Sequence, residues 1–177
     1  MGLQTRIKTA RLLVWLDDPA RLDDVVRIAD VVVSHEPLPQ ADPALIRAAM
    51  APATTDLVLG CGRGRAEPGH EFGLVGHIVT TKRELSRALQ DDAVDAVVCS
   101  LDLVERAVRI ADPTSPDSTP WFADVISLDE GRQAVQAGAV RLAGRPASRE
   151  EAAAMRKLVS DVWRHQMADV TFAAMRS

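Results

Sequence analysis

Short runs of apolar and β-branched residues alternate along this chain with longer stretches whose apolar positions fall three or four apart. The first pattern suits strands, and the second suits helices that bury one face. Seven runs are predicted as strands: 11–16, 30–33, 56–60, 72–79, 93–99, 121–126 and 139–143. Helices are predicted between them, over about 20–29, 44–50, from Thr81 onward, 103–111 and 127–137.

The helix starts carry their own chemistry. Asp18-Pro19 and Asp42-Pro43 each place a carboxylate where free amides need an acceptor, with proline at a first position that loses no hydrogen bond. Thr81 to Glu84, Ser127 to Glu130 and Ser148 to Glu151 all have capping-box spacing, in which hydroxyl and carboxylate each satisfy a backbone amide. Gly138 suits a left-handed helix end because it has no β-carbon to clash. The last helix opens at Ser148 and runs almost to the end of the chain. Met155, Val159, Val162, Trp163, Met167 and Val170 form a stripe along it. That stripe either closes the core or meets a second subunit, since the helix outlasts what one small domain needs.

Strands separated by helices imply parallel pairing, because parallel neighbours require a crossover. The class is therefore α/β, with two architectures open at this point: a reduced or incomplete TIM-type βα barrel of about seven strands, and an open doubly wound sheet. At 177 residues the chain is short beside the roughly 250 of a complete eight-fold barrel. The expected organisation is one βα-repeat domain over 1–147, followed by a C-terminal amphipathic helix over 148–177 packed on it or on a second subunit.

Composition narrows the functional classes. With 47% hydrophobic and 26% charged residues the chain has the means to build a core. The net charge of −4 comes from interspersed signs without a basic run, and there are three Trp, three Phe and no Tyr. Neither a phosphate-tracking stripe nor a base-stacking platform follows, so no nucleic-acid partner is expected. No apolar run approaches the ~20 residues of a membrane helix. Residues 1–10 are charged and lack the apolar centre of a secretory signal. A cytoplasmic protein without a membrane partner is the expectation. Cys61 and Cys99 have no CxxC spacing and read as buried free thiols, with a disulfide or metal pair as the less favoured alternative. Neither a metal nor a cofactor is predicted.

Four places hold candidate chemistry. His35-Glu36 follows the second strand, where sheet enzymes place functional groups, and Glu36 is a candidate catalytic carboxylate beside the reading of a solvated loop pair. Cys61-Gly62-Arg63-Gly64-Arg65 follows the third strand. Its glycines free the backbone and Arg63 and Arg65 favour an anion, although a flexible surface loop explains the same residues. His77 sits within a strand and reads as a hydrogen-bonded core histidine. Asp124 lies inside an apolar strand, where a carboxylate needs a partner. An ion pair with Arg145 or Arg63 is one role for it and a catalytic acid the other. Gly144-Arg145 offers a further anion site, with Pro146 removing one amide donor.

Pro120-Trp121-Phe122-Ala123, followed past a helix by Ala137-Gly138-Ala139, resembles the end of the thiamine phosphate synthase and TenI-like family. Leu101-Asp102-Leu103-Val104 is similar to that family's preceding helix entry. Val75-Gly76 and Asp95-Ala96-Val97 keep the order of the unit before it. Asp30-Val31-Val32 and Glu36 can be laid on the family's Gln-Leu-Arg-Glu-Lys strand. The resemblance implies the TIM-type barrel and a phosphorylated ligand. The departures are as informative. Val125 and Ile126 stand where the family has paired glycines that let amides approach phosphate. His35 and Pro37 replace the family's arginine and lysine, Thr80 replaces a histidine, and no Asn-Asp pair stands ready for magnesium. The expectation is a catalytically degenerate relative with a non-catalytic binding, scaffolding or regulatory role, self-associating or meeting a protein partner through its terminal helix. The alternative is a transferase or lyase acting on a small phosphorylated substrate through a rebuilt site of Glu36, Arg63 and Arg145.

Overall fold

The computed structural model describes residues 3–15, 28–34, 58–63, 75–115 and 117–176. Its elements are α1 (Leu3–Thr9), β1 (Leu12–Trp15), β2 (Val31–Ser34), β3 (Val58–Arg63), β4 (Val75–Val79), α2 (Lys82–Ala88), β5 (Ala96–Cys99), α3 (Val104–Ile110), β6 (Trp121–Val125), α4 (Leu128–Gln136), β7 (Leu142–Gly144) and α5 (Arg149–Arg176). A 3₁₀ turn, Leu101–Leu103, leads into α3. The helix starts at Asp18-Pro19 and Asp42-Pro43, the helix over 44–50 and nearly all of that over 20–29 lie outside the described residues, as do His35, Glu36 and Arg65.

The chain folds as a mixed α/β protein with parallel strands. Each strand pairs in parallel with the next in sequence. β7 also returns to β1, with Leu12 opposite Leu142, Leu13 opposite Ala143 and Val14 opposite Gly144. β1 (LLVW) and β5 (AVVC) read as unbroken apolar runs because both their faces are covered. Leu12, Val14, Val97, Cys99, Trp121, Ala123, Val125 and Leu142 face the helices and pack with Leu85, Val104, Ala107, Ala134, Met155 and Val159. The alternate residues Leu13, Trp15, Val31, Ala96, Val98, Phe122 and Ala143 form a second cluster with Ile7 and Ala10.

The helix starts behave as their spacing predicts. Thr81 and Glu84 form a full capping box. Ser127 Oγ accepts from the Glu130 amide at 3.2 Å, and Ser148 Oγ from the Glu151 amide at 3.1 Å. Gly138 ends α4 with φ of +104° and sits against Val108.

Three features differ from the sequence reading or extend it. The first is α1, whose charged residues concealed a helix that buries Ile7. The second is β3, which continues through Cys61-Gly62-Arg63 where a loop was expected, with these residues opposite Gly76, His77 and Ile78 of β4. Ladder bonds to a neighbouring strand outweigh the weak strand preference of glycine. The third is Arg141, the residue just before β7, buried with 4% exposure. Its guanidinium donates to the carbonyls of Ala10, Pro113 and Lys8 at 3.2, 2.6 and 2.8 Å, so it closes the end of α1 onto the sheet. Burial lowers its pKa to about 10, which leaves it charged at neutral pH.

Helix α5 belongs to the same core over its first half, where Ala152, Met155 and Val159 are buried. It runs back along the strands. Near its start it packs against α4 and β7. Further on, Arg156 pairs with Asp30, whose other oxygen accepts from the Arg11 and Leu12 amides at 2.8 and 3.0 Å. Trp163 then stacks beside Arg11 and Arg141, 5.1 and 5.5 Å from its ring centroid.

Candidate functional site

The carboxyl ends of β1, β6 and β7 bring three side chains together. Strand alternation puts Asp124 on the same face as Phe122, and Trp15 on the same face as Leu13. The amide of Arg145 donates to the Val125 carbonyl at 3.2 Å, carrying the β6–β7 register one residue past β7. Arg145 Nη1 then reaches Asp124 Oδ1 at 2.5 Å, and the Trp15 indole N–H donates to the same oxygen at 2.9 Å. The guanidinium lies over the Trp15 ring, 4.6 Å from its centroid. The Asp124 and Arg145 side chains keep 27% and 24% of their surface exposed.

The ion pair expected of Asp124 is thus made with Arg145. Trp15 was not foreseen as its third member. Only its place at the end of an alternating strand hinted at a shared face. The arrangement fixes a planar cation at the strand ends, held by charge, hydrogen bond and ring stacking.

Gly144 serves packing on the opposite face. A β-carbon there would lie 2.7 Å from Met155 Sδ, so the missing side chain lets α5 approach β7. Arg63 occupies the register position opposite Ile78. His77 stands opposite Val97 and is half-buried. Cys99 is fully buried, and burial, followed by the charge of Asp124, pushes its thiol up to about 12. It is a structural thiol and not a nucleophile.

The turns beside the triad are lined with carboxylates. Glu130 Oε2 accepts from the Ile126 amide at 2.8 Å. Glu151 Oε2 accepts from the Ala147 amide at 2.7 Å, while its Oε1 accepts from the Leu128 amide at 3.1 Å. The β-carbons of Val125 and Ile126 were both expected to obstruct an amide cradle at this turn, yet the Val125 side chain packs into the core with the helices and Ile126 points to solvent, 64% exposed. The Ile126 amide is engaged by Glu130 instead.

At the other end of the strands a hollow of ≈ 170 Å³ is lined by Lys8, Asp92, Asp95 and Asp117 among others. It falls below the ~300 Å³ at which small-molecule pockets usually begin. Among the described residues no group of three or more His, Cys, Asp or Glu is placed to hold a metal ion. Among them, too, no helix is long and apolar enough to cross a membrane. Neither a scan against protein-family models nor a search of curated proteins finds a match for this chain.

Proposed function

We propose that this chain is a catalytically silent relative of the thiamine-phosphate-synthase-like proteins, built as a reduced TIM-type barrel and acting in binding, scaffolding or regulation. The barrel reading is supported by the pairing of β1 with both β2 and β7. The functional reading is carried by one observation: the amides of Ile126, Leu128 and Ala147 already bond the carboxylates of Glu130 and Glu151. In the family the chain resembles, amides near this turn meet a phosphate. Here negative side chains stand beside them, and a phosphorylated ligand meets repulsion in place of donors.

Purified protein incubated with a pyrimidine pyrophosphate and a thiazole phosphate is expected to yield no condensation product. Turnover above a heat-denatured control would overthrow the proposal.

A second reading keeps an anion site at Arg145. The observation in its favour is the guanidinium fixed between Asp124 and Trp15. A site preorganised in this way is suited to a small carboxylate or phosphate. Thermal shift with inorganic phosphate and with thiazole phosphate separates the two readings, because a ligand of the folded state raises the melting temperature. A rise abolished by Arg145→Ala favours the second.

Self-association through α5 is part of the first reading. Trp163 already lies beside Arg11, ahead of β1, and α5 continues to Arg176, about 20 Å of further helix. Removal of the residues after 164 tests this by sedimentation and leaves Met155 and Val159 in the core. An unchanged oligomeric state would sink it.

A further inference from the structure

We propose that this chain pairs with a second copy of itself through the amino ends of its strands, where a cationic and an acidic patch lie side by side and each meets its opposite on the other copy. The inference rests on the self-association reading and deepens it by assigning the charges that bring two copies together. Arg11 stands just before β1 and Arg141 just before β7, and the Trp163 ring of α5 lies beside both guanidiniums. Burial lowers the Arg11 pKa; Asp30 opposes the shift, and the charges of Arg156 and Arg164 add to it. Asp30 is already taken by Arg156 and by two backbone amides. Asp161 is shared by Lys157 and Arg164, at 3.1 and 2.5 Å. Arg141 has only carbonyls for hydrogen-bond partners. Among the described residues this end of the fold thus gathers five cations around two carboxylates, in a chain whose net charge is −4.

The acidic patch begins at Lys8, whose carbonyl accepts from Arg141. Lys8 also borders the hollow at the starts of β5 and β6, where Asp92, Asp95 and Asp117 line the wall. Asp92 and Asp117 are exposed. An unrelated acidic partner would cover the cations and leave these carboxylates facing its own charge. A second copy satisfies both patches. A two-fold rotation sets the cationic patch of each copy on the acidic patch of the other, so every pairing occurs twice and the contact closes on itself. Complementary potentials arranged in this way fix register and make association sensitive to salt.

The test is sedimentation of the full chain and of two variants at exposed positions, Arg164→Glu, whose native side chain is 74% exposed, and Asp117→Lys. Each substitution sets like charge against like at both contacts and is expected to raise the dimer dissociation constant by about tenfold or more. Mixed in equal amounts, the two variants should dimerise again, because the two altered side chains meet each other and the second contact is native. Raising the salt from about 0.1 M to about 1 M shortens the screening length from about 10 Å to about 3 Å and should weaken the parent dimer. A dimer indifferent to salt and to both substitutions overturns the inference, and so does a mixture that stays monomeric. Should either variant lose its fold by circular dichroism, Arg164→Gln and Asp117→Asn replace the pair, and unchanged association in both counts against the idea. A parent that is monomeric at every concentration defeats self-association and this pairing with it. A dimer lost on removal of the residues after 164, yet kept in both charge variants, leaves the self-association reading standing and defeats only the pairing.

Discussion

The indole nitrogen of Trp15 and the carboxylate of Asp124 stand 109 residues apart in sequence and 2.9 Å apart in the fold. Arg145 bonds the same oxygen and covers the same indole, so one carboxylate oxygen joins the ends of β1, β6 and β7.

Breaking that junction has a defined cost. Asp124→Asn removes the charge that holds Arg145 and is expected to lower stability by about 1–2 kcal/mol, discounted because both side chains are a quarter exposed. A double-mutant cycle of Asp124→Ala and Arg145→Ala, read by urea unfolding, should give a coupling of about 1 kcal/mol. Additive losses would show that the pair contributes nothing.

Arg141 is the more demanding buried group, because it has three carbonyl partners and little exposure. Arg141→Met keeps much of the volume and leaves those carbonyls unsatisfied, at a cost of about 3 kcal/mol or more. Arg141→Lys should recover only part of it, since an ammonium does not reproduce the planar fork. Chemical denaturation of the three proteins orders them.

A methyl group at position 144 meets the Met155 sulfur at 2.7 Å. Gly144→Ala is expected to cost about 1–3 kcal/mol through overpacking. Met155→Ala alone opens a cavity and should cost about 2–5 kcal/mol. In the double variant the new methyl enters the vacated space, so the measured loss should fall short of the sum.

Cys99 supplies a pH prediction. Its thiol rises from the ordinary 9.0 to about 12 in the folded state, chiefly through burial. Folded protein therefore keeps the proton more tightly than unfolded protein does. The resulting stability is complete below pH 9 and is lost as the pH climbs from there toward 12. Cys99→Ala should flatten that alkaline decline. In the parent at pH 8, peptide mapping after alkylation should find Cys99 modified only when denaturant is present.

Much of the local structure was legible in advance. The seven strands appear in the predicted order, and β1 and β5, buried on both faces, had to be apolar without interruption. The three capping pairs act on neighbouring amides, so their spacing alone disclosed them. The Asp124–Arg145 pair was readable for a related reason, since a carboxylate in an apolar strand requires a cation and the next strand end offered one. Glu36 and Arg65 lie outside the described residues, and of Arg63 only the strand position is described.

Helix α1 escaped notice because seven residues make too short a period to stand out. Its place depends on Arg141, more than 130 residues away, binding the carbonyls at its end.

From the order of residues alone came the class of fold, the helix starts and the demand for a charge partner at Asp124, since each follows from groups within a few positions or from the polarity of a single strand. The tertiary structure decided that Trp15 joins that pair, that Gly144 makes room for Met155 and that Glu151 reaches Leu128. Those contacts depend on which strands and helices become neighbours and in what register, and no local preference encodes that.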